Sequence, residues 1–267
     1  MDQQTVVVEV QAPVATVTVN RPRARNALSS EVLTGLLDAL AELRGNPAIA
    51  GVILTGAPGP AFVAGADIRE MAAMDPERGA RFGALGQEVT RELERLPVPV
   101  IACVDGYALG GGCEIALACD FVYATPKAVF GQPEVLLGLI PGFGGCVRLR
   151  RQVGPGRARE LIFTGRHVDA AEAHRMGLVN ELFDSREAML GGARATITAV
   201  SRNSRDAVAL AKNALNAGRG HSVDTGLELE LSAFRLAFTT PDMREGTTAF
   251  LGKREPAFRS RTAVPAE

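Results

Sequence analysis

The sequence predicts one α/β core that carries a helical C-terminal appendage. Three observations point there. Short apolar strands alternate with helical apolar spacing from Val6 to about Gly142. Glycine-bearing loops follow two of these strands, at 62–67 and 106–112. Roughly the last sixty residues carry no strand pattern. With 267 residues, 46% of them apolar and 22% charged, the chain can bury one large core or two small ones.

Val6 to Val19 reads as a hairpin: "TVVVEV", a "QAP" turn, then "VATVTV" with partial alternation. Leu33, Leu36, Leu37, Leu40 and Leu43 recur at helical spacing, and "GNP" at 45–47 ends that helix. "GVILTG" (51–56) is a short apolar strand and "FVAGAD" (62–67) a loop. Phe82, Leu85, Val89, Leu93 and Leu96 mark the next helix, stopped by Pro97 and Pro99. "VPVIACV" (98–104) is a buried strand that leads straight to the glycine loop. "DFVYAT" (120–125) and "AVF" (128–130) are further strands. From about Gly142 the pattern is helical apart from "GLVNELF" (177–183), with no linker, repeat or low-complexity segment.

A net charge of −1 argues against nucleic acid or an anionic membrane as the main partner. No apolar run approaches the ~20 residues a bilayer span needs. The opening "MDQQTVVVEV" has neither a signal-peptide core nor a transit-peptide composition. Cys103, Cys113, Cys119 and Cys146 lie in apolar stretches without a CxxC pair, so they read as buried hydrophobes of a cytoplasmic protein.

"YALGGGCEIALACD" (107–120) concentrates the chemistry. Gly110, Gly111 and Gly112 precede a helix, so bare backbone N–H groups can approach an anion or a developing oxyanion. No Lys-Ser/Thr follows them and the GxGxxG spacing is missed, which excludes a P-loop and a dinucleotide fingerprint. A packing turn is the other reading. Glu114 in the first turn of that helix and Glu134 in "FGQPEVLLGLIPGFGG" (130–145) are carboxylates in apolar surroundings. Brought together, two such groups split their titrations and supply acid and base at one pH; apart, one of them is a surface or capping Glu. Asp67 in "AFVAGADI" (61–68) reads as an N-cap and Asp120 as structural. There is no GxSxG or HExxH, and His167, His174 and His221 fall late in the chain. Acid–base chemistry on a substrate held by backbone amides is what remains.

These motifs, together with "NRPRARNAL" (20–28), the run 97–120 and "AFLGKREPAF" (249–258), resemble the crotonase (enoyl-CoA hydratase/isomerase) family along almost the full chain. The resemblance implies a crotonase-like α/β fold, a ββα spiral core over residues 1–200 with a C-terminal helical trimerisation region over 201–267. It implies a homotrimer, commonly paired into a hexamer, that uses no metal or redox cofactor because CoA arrives with the acyl-CoA substrate. By the same resemblance the amides of Ala66 and Gly111 form an oxyanion hole, and Glu114 and Glu134 hold one water over a C2–C3 double bond. Ala64, Asp67, Ile68 and Gly110 become substrate-binding positions. Phe250 and Lys253 reach CoA from a neighbouring subunit. The implied activity is hydration of a short or medium 2-enoyl-CoA to a 3-hydroxyacyl-CoA. A methylglutaconyl-CoA hydratase or an enoyl-CoA isomerase is the near alternative, and a non-catalytic or RNA-binding protein on the same fold the distant one. Residues such as those from Met71 to Phe82 shape the acyl pocket. The sequence departs from the family pattern at Phe143 and Cys146 in "PGFGGCVRL", at Arg25 and at Gly252. The five arginines of "RLRRQVGPGRAR" (148–159) read as a solvated helix face or a surface within the oligomer.

Overall fold

The N-terminal alternation becomes a hairpin: β1 (Val6–Gln11) pairs antiparallel with β2 (Val14–Val19), burying Val6, Val14, Val17 and Val19. Helix α1 (Ser30–Arg44) starts where the Ser29 hydroxyl accepts from the Val32 N–H, and it buries Leu33, Leu36, Leu40 and Leu43. Strand β3 (Gly51–Gly56) is buried throughout, as expected of a parallel strand covered on both faces. The computed structural model describes residues 4–260; the outermost ends of the two predicted segments, 1–3 and 261–267, lie outside the described residues.

From β3 onward the chain coils. After β3 come β4 (Ala61–Val63), the one-turn helix α2 (Ile68–Met71) and the long helix α3 (Pro76–Arg95). Strands β5 (Val100–Val104) and β6 (Tyr107–Leu109) precede α4 (Gly111–Ala118). Strands β7 (Phe121–Ala124) and β8 (Val129–Gly131) precede a 3-10 turn at Pro133–Leu137, then α5 (Gly145–Val153) and α6 (Pro155–Thr164). Each coil places one strand in a six-stranded sheet, ordered β1-β2-β3-β5-β7, and the next strand in a four-stranded sheet, ordered β4-β6-β8. The sheets are completed by β9 (His167–Asp169), which joins the small sheet beside β8, and by β10 (Glu181–Leu182), which joins the large one beside β7; α7 (Ala170–Arg175) lies between them. This is the ββα spiral of the crotonase fold. Strands β4, β6 and β8 are parallel neighbours, so their C-terminal ends open side by side.

Two expectations need correction. "FVAGAD" is a loop only after Val63, because its first residues form β4, and β6 and β9 were not foreseen. Strands of three residues are too short to display a period. The other correction is Cys146, which is exposed while Cys103, Cys113 and Cys119 are buried. Helix α5 buries Gly145, Leu149 and Val153 along one stripe, and Cys146 falls off it.

The C-terminal part is helical: α8 (Arg186–Val200), α9 (Arg205–Ala217), α10 (Val223–Ala237) and α11 (Pro241–Leu251). Helix α9 is fastened to the core by Lys212. Its buried ammonium donates to the carbonyls of Leu93 and Val98, both at 3.0 Å, and to Asp120 at 2.7 Å, using all three protons. Asp120 also accepts from the Val100 N–H, which gives it the structural role expected. Helix α10 buries none of its residues and shows Leu227, Leu231 and Phe234 to the outside. Among the described residues no helix is long and apolar enough to cross a membrane.

Candidate active site

Three consecutive strands of the small sheet each end in a residue of the site. Ala66 lies three positions after β4, Gly111 two after β6 and Glu134 three after β8. Ligand sites at the carboxyl ends of parallel strands are general for α/β sheets. Here they enclose a cavity of about 320 Å³. Ala64, Ala66, Ile68, Gly110, Gly111, Glu114 and Glu134 all line it, which gathers most of the sequence-predicted site in one place.

Ala66 forms an isolated parallel bridge with Leu28: Leu28 N–H donates to the Gly65 carbonyl at 2.9 Å and Asp67 N–H to the Leu28 carbonyl at 2.8 Å. In a parallel bridge the middle residue's own N–H points away from that partner. Gly111 opens α4, so its N–H has no partner one turn back within the helix. Each of these two amides follows a glycine in the left-handed region, Gly65 at φ +115° and Gly110 at φ +50°. Gly112 permits close approach, because a Cβ there would lie 2.0 Å from the Val63 carbonyl oxygen.

Glu114 is buried and anchored. One of its carboxylate oxygens accepts from the N–H of Phe143 at 2.8 Å and of Gly145 at 2.6 Å. Burial raises its pKa to about 7, while those backbone donors and the charge of Arg148 pull it back toward ionisation. Glu134 is half-buried and is also raised to about 7, by burial and then by the negative charge of Glu114. It leans over Gly110, where a Cβ would lie 2.9 Å from its Oε1. The fully buried Gln132 faces it; with the amide nitrogen turned toward the carboxylate, the contacts are 2.9 and 3.2 Å. The two carboxylates differ in their surroundings: Glu114 rests on two backbone N–H groups beside Arg148, while Glu134 is faced by the Gln132 amide and feels the negative charge of Glu114.

The far wall is apolar. Met71, Phe82, Leu137 and Ile140 contribute, together with Phe143, whose ring stands 5.5 Å from that of Phe82. Gly86 makes room for this ring, since a Cβ there would lie 2.2 Å from it. The mouth is cationic. A second cavity of about 500 Å³ shares Ala64, Ala66 and Ile68 with the first and is lined by Arg21, Arg23, Arg25 and Arg69.

Asp67 caps α2, accepting from the Arg69 and Glu70 N–H groups, and pairs with Arg21 at 3.1 Å. Its carboxylate shapes the mouth. Phe250 and Lys253 line neither cavity; Phe250 is 82% exposed at the end of α11. Sequence reasoning missed Gln132 and Arg148. The first stood in the quoted motif beside Glu134, but the second was assigned to a solvated face. Cys113 behaves as expected, its thiol pushed up to about 12 by burial.

A family model described as enoyl-CoA hydratase/isomerase matches residues 9–261. The chain is 46% identical over 262 residues to a short-chain-enoyl-CoA hydratase of Clostridium acetobutylicum, covering 98% of this chain and 100% of that one. It is 43% identical over 261 residues to a crotonyl-CoA hydratase of Syntrophomonas wolfei, again covering 98% and 100%. The crystal structure of an enoyl-CoA hydratase from Bacillus anthracis superposes with a TM-score of 0.90 at 38% identity, covering 97% of this chain and 100% of that one. With the fold, the paired glutamates and this full-length likeness in agreement, the chain belongs to the enoyl-CoA hydratase/isomerase family.

Proposed function

We propose that Glu114 and Glu134 add water across the C2–C3 double bond of a 2-enoyl-CoA whose thioester oxygen lies between the amides of Ala66 and Gly111. The protein is an enoyl-CoA hydratase, a hydro-lyase acting on CoA thioesters. The observation that carries the residue assignment is that two carboxylates raised to about 7 face one cavity beside two amides set by positive-φ glycines.

Glu114, aimed by the N–H groups of Phe143 and Gly145, takes a proton from water as the water oxygen bonds to C3. Negative charge moves to the thioester oxygen, where two N–H groups stabilise the enolate. Glu134, its pKa raised by burial and by the negative charge of Glu114, gives its proton to C2 as the enolate collapses to the 3-hydroxyacyl thioester. The pair then returns the proton, and every step reverses. The two carboxylates and two amides account for the chemistry, so no metal or redox cofactor enters the proposal.

The arginine-lined mouth suits the phosphates of CoA. The Phe82–Phe143 wall favours short acyl chains, in accord with the short-chain and crotonyl substrates in the names of the two relatives. A trimer or a hexamer fits the apolar face of α10, with Phe250 and Lys253 serving a neighbour's CoA site. Four free cysteines accord with a cytoplasmic site of action.

The test is turnover of crotonyl-CoA by Glu114→Gln and Glu134→Gln. Each should lose ~10²–10⁴ in kcat with thioester binding retained, and the double variant should lose little more, since both act on one water. Near-wild-type kcat in either single variant would remove the role given to that residue.

A further inference from the structure

The support beneath Glu114 is built from parts that reach far from the cavity. Its carboxylate rests on the amides of residues 143–145, a turn in which Gly144 has φ +112°. The carbonyl of Phe143 faces the other way and is gripped twice. Arg148 Nη1 donates to it at 3.1 Å and the Thr90 hydroxyl of α3 at 3.1 Å. Gly144 leaves space for this grip, because a Cβ there would lie 2.1 Å from Arg148 Nη1. The same guanidinium is held in a fork by Glu94: Nε donates to one carboxylate oxygen at 2.8 Å and Nη2 to the other at 2.7 Å. Glu94 is tied in turn to the C-terminal helices. Arg219, just after α9, donates to its side chain at 3.0 Å, and Asn216 of α9 to its backbone carbonyl at 2.9 Å.

We propose that Arg148 is a positioning residue for Glu114, and that Glu94 couples this grip to the seating of the C-terminal helices through Arg219 and Asn216. The inference rests on the hydratase assignment for its kinetic readout only. A guanidinium with three bonds in fixed directions holds the 143–145 turn in one shape, which lysine cannot reproduce. If the turn relaxes, the two N–H groups no longer converge on one oxygen, and Glu114 loses both its aim and the donors that favour its anion. The other titratable groups facing Glu114 are Glu134 from the 3-10 turn and the thiols of Cys113 and Cys146. Both thiols have raised pKa values, so Arg148 is the cation of the set.

The experiment compares Arg148→Gln, Arg148→Lys, Glu94→Gln and Arg219→Ala. With crotonyl-CoA, Arg148→Gln should lower kcat by roughly 10- to 100-fold, the loss expected for a charged hydrogen bond, with KM changed less than about threefold. Arg148→Lys should restore part of kcat. Glu94→Gln and Arg219→Ala should give smaller losses of the same kind. A second readout needs no turnover. The side-chain carboxyl ¹³C resonance of Glu114, assigned by its loss in Glu114→Gln, should titrate at higher pH in Arg148→Gln than in the wild type. Unchanged kcat and an unchanged Glu114 titration in folded Arg148→Gln would overturn the positioning role. Should Arg148→Gln not fold, the same null result in Arg148→Lys and Glu94→Gln together would overturn it. Normal behaviour of Arg219→Ala alone would overturn the link to the C-terminal helices. A wild-type protein that hydrates no enoyl thioester would instead count against the hydratase assignment, and the resonance shift would still decide the role of Arg148.

Discussion

Glu114 is held in the fold with an acidity near neutrality, against an ordinary value of 4.5. A carboxyl raised in this way contributes stability that is fully present below about pH 4.5, the unfolded value, and is lost as pH rises through about 7. Glu114→Gln should therefore be the more stable protein at pH 8, by up to ~3 kcal/mol, with the gain shrinking as pH falls toward 4.5. Urea midpoints at pH 8 and pH 5.5 measure this, and an equal gain at both would contradict it. The same residue shows what one sequence can and cannot disclose. A glutamate among glycines and apolar neighbours was visible as an anomaly, and so was its partner Glu134. Its anchors were not. Arg148 gathers a carbonyl from the turn it follows and a carboxylate from α3, fifty-four positions earlier, and no local pattern marks such a meeting.

At the level of elements, α3 and the 142–145 turn set what the cavity admits. Phe143 lies over Gly111 and Gly86 and against Phe82, so an acyl chain extending past C3 meets its ring early. Phe143→Ala keeps the N–H that binds Glu114 and removes the wall. It should raise kcat/KM for an eight-carbon enoyl thioester relative to crotonyl-CoA by about tenfold or more, the worth of a few buried methylenes. An unchanged ratio across a C4-to-C10 series would mean that the chain leaves by another route. The long helices and the large sheet were legible because several turns of period or a continuous apolar run mark them. Of the small sheet only β8 was legible, as "AVF", since β4, β6 and β9 have three residues each and take their identity from their neighbours.

For the molecule as a whole, the exposed row on α10 and the distant Phe250 and Lys253 belong to one argument. Phe234→Glu, placed within an apolar face that is 60% exposed at that residue, should shift the sedimentation coefficient toward the monomer. Lys253→Ala should raise KM for a CoA thioester more than it lowers kcat, more so at low salt, and less for the pantetheine thioester that lacks the nucleotide phosphates. Equal KM changes for both substrates would separate Lys253 from the nucleotide. An active monomer would separate it from the site altogether.

The ladder between β6 and β8 runs Tyr107 to Val129, Ala108 to Phe130 and Leu109 to Gly131. Adjacent strands stand about 4.8 Å apart. Glu114 leaves the first strand five residues beyond Leu109, and Glu134 leaves the second three beyond Gly131. The span between the two carboxylates is thus gauged by one rung, and a slip of one residue would shift one of them by about 3.3 Å relative to the other. The stretch from Met71 to Gly83 lines the cavity but enters no rung. Insertions or deletions there can retune the accepted acyl group while the gauge stays fixed.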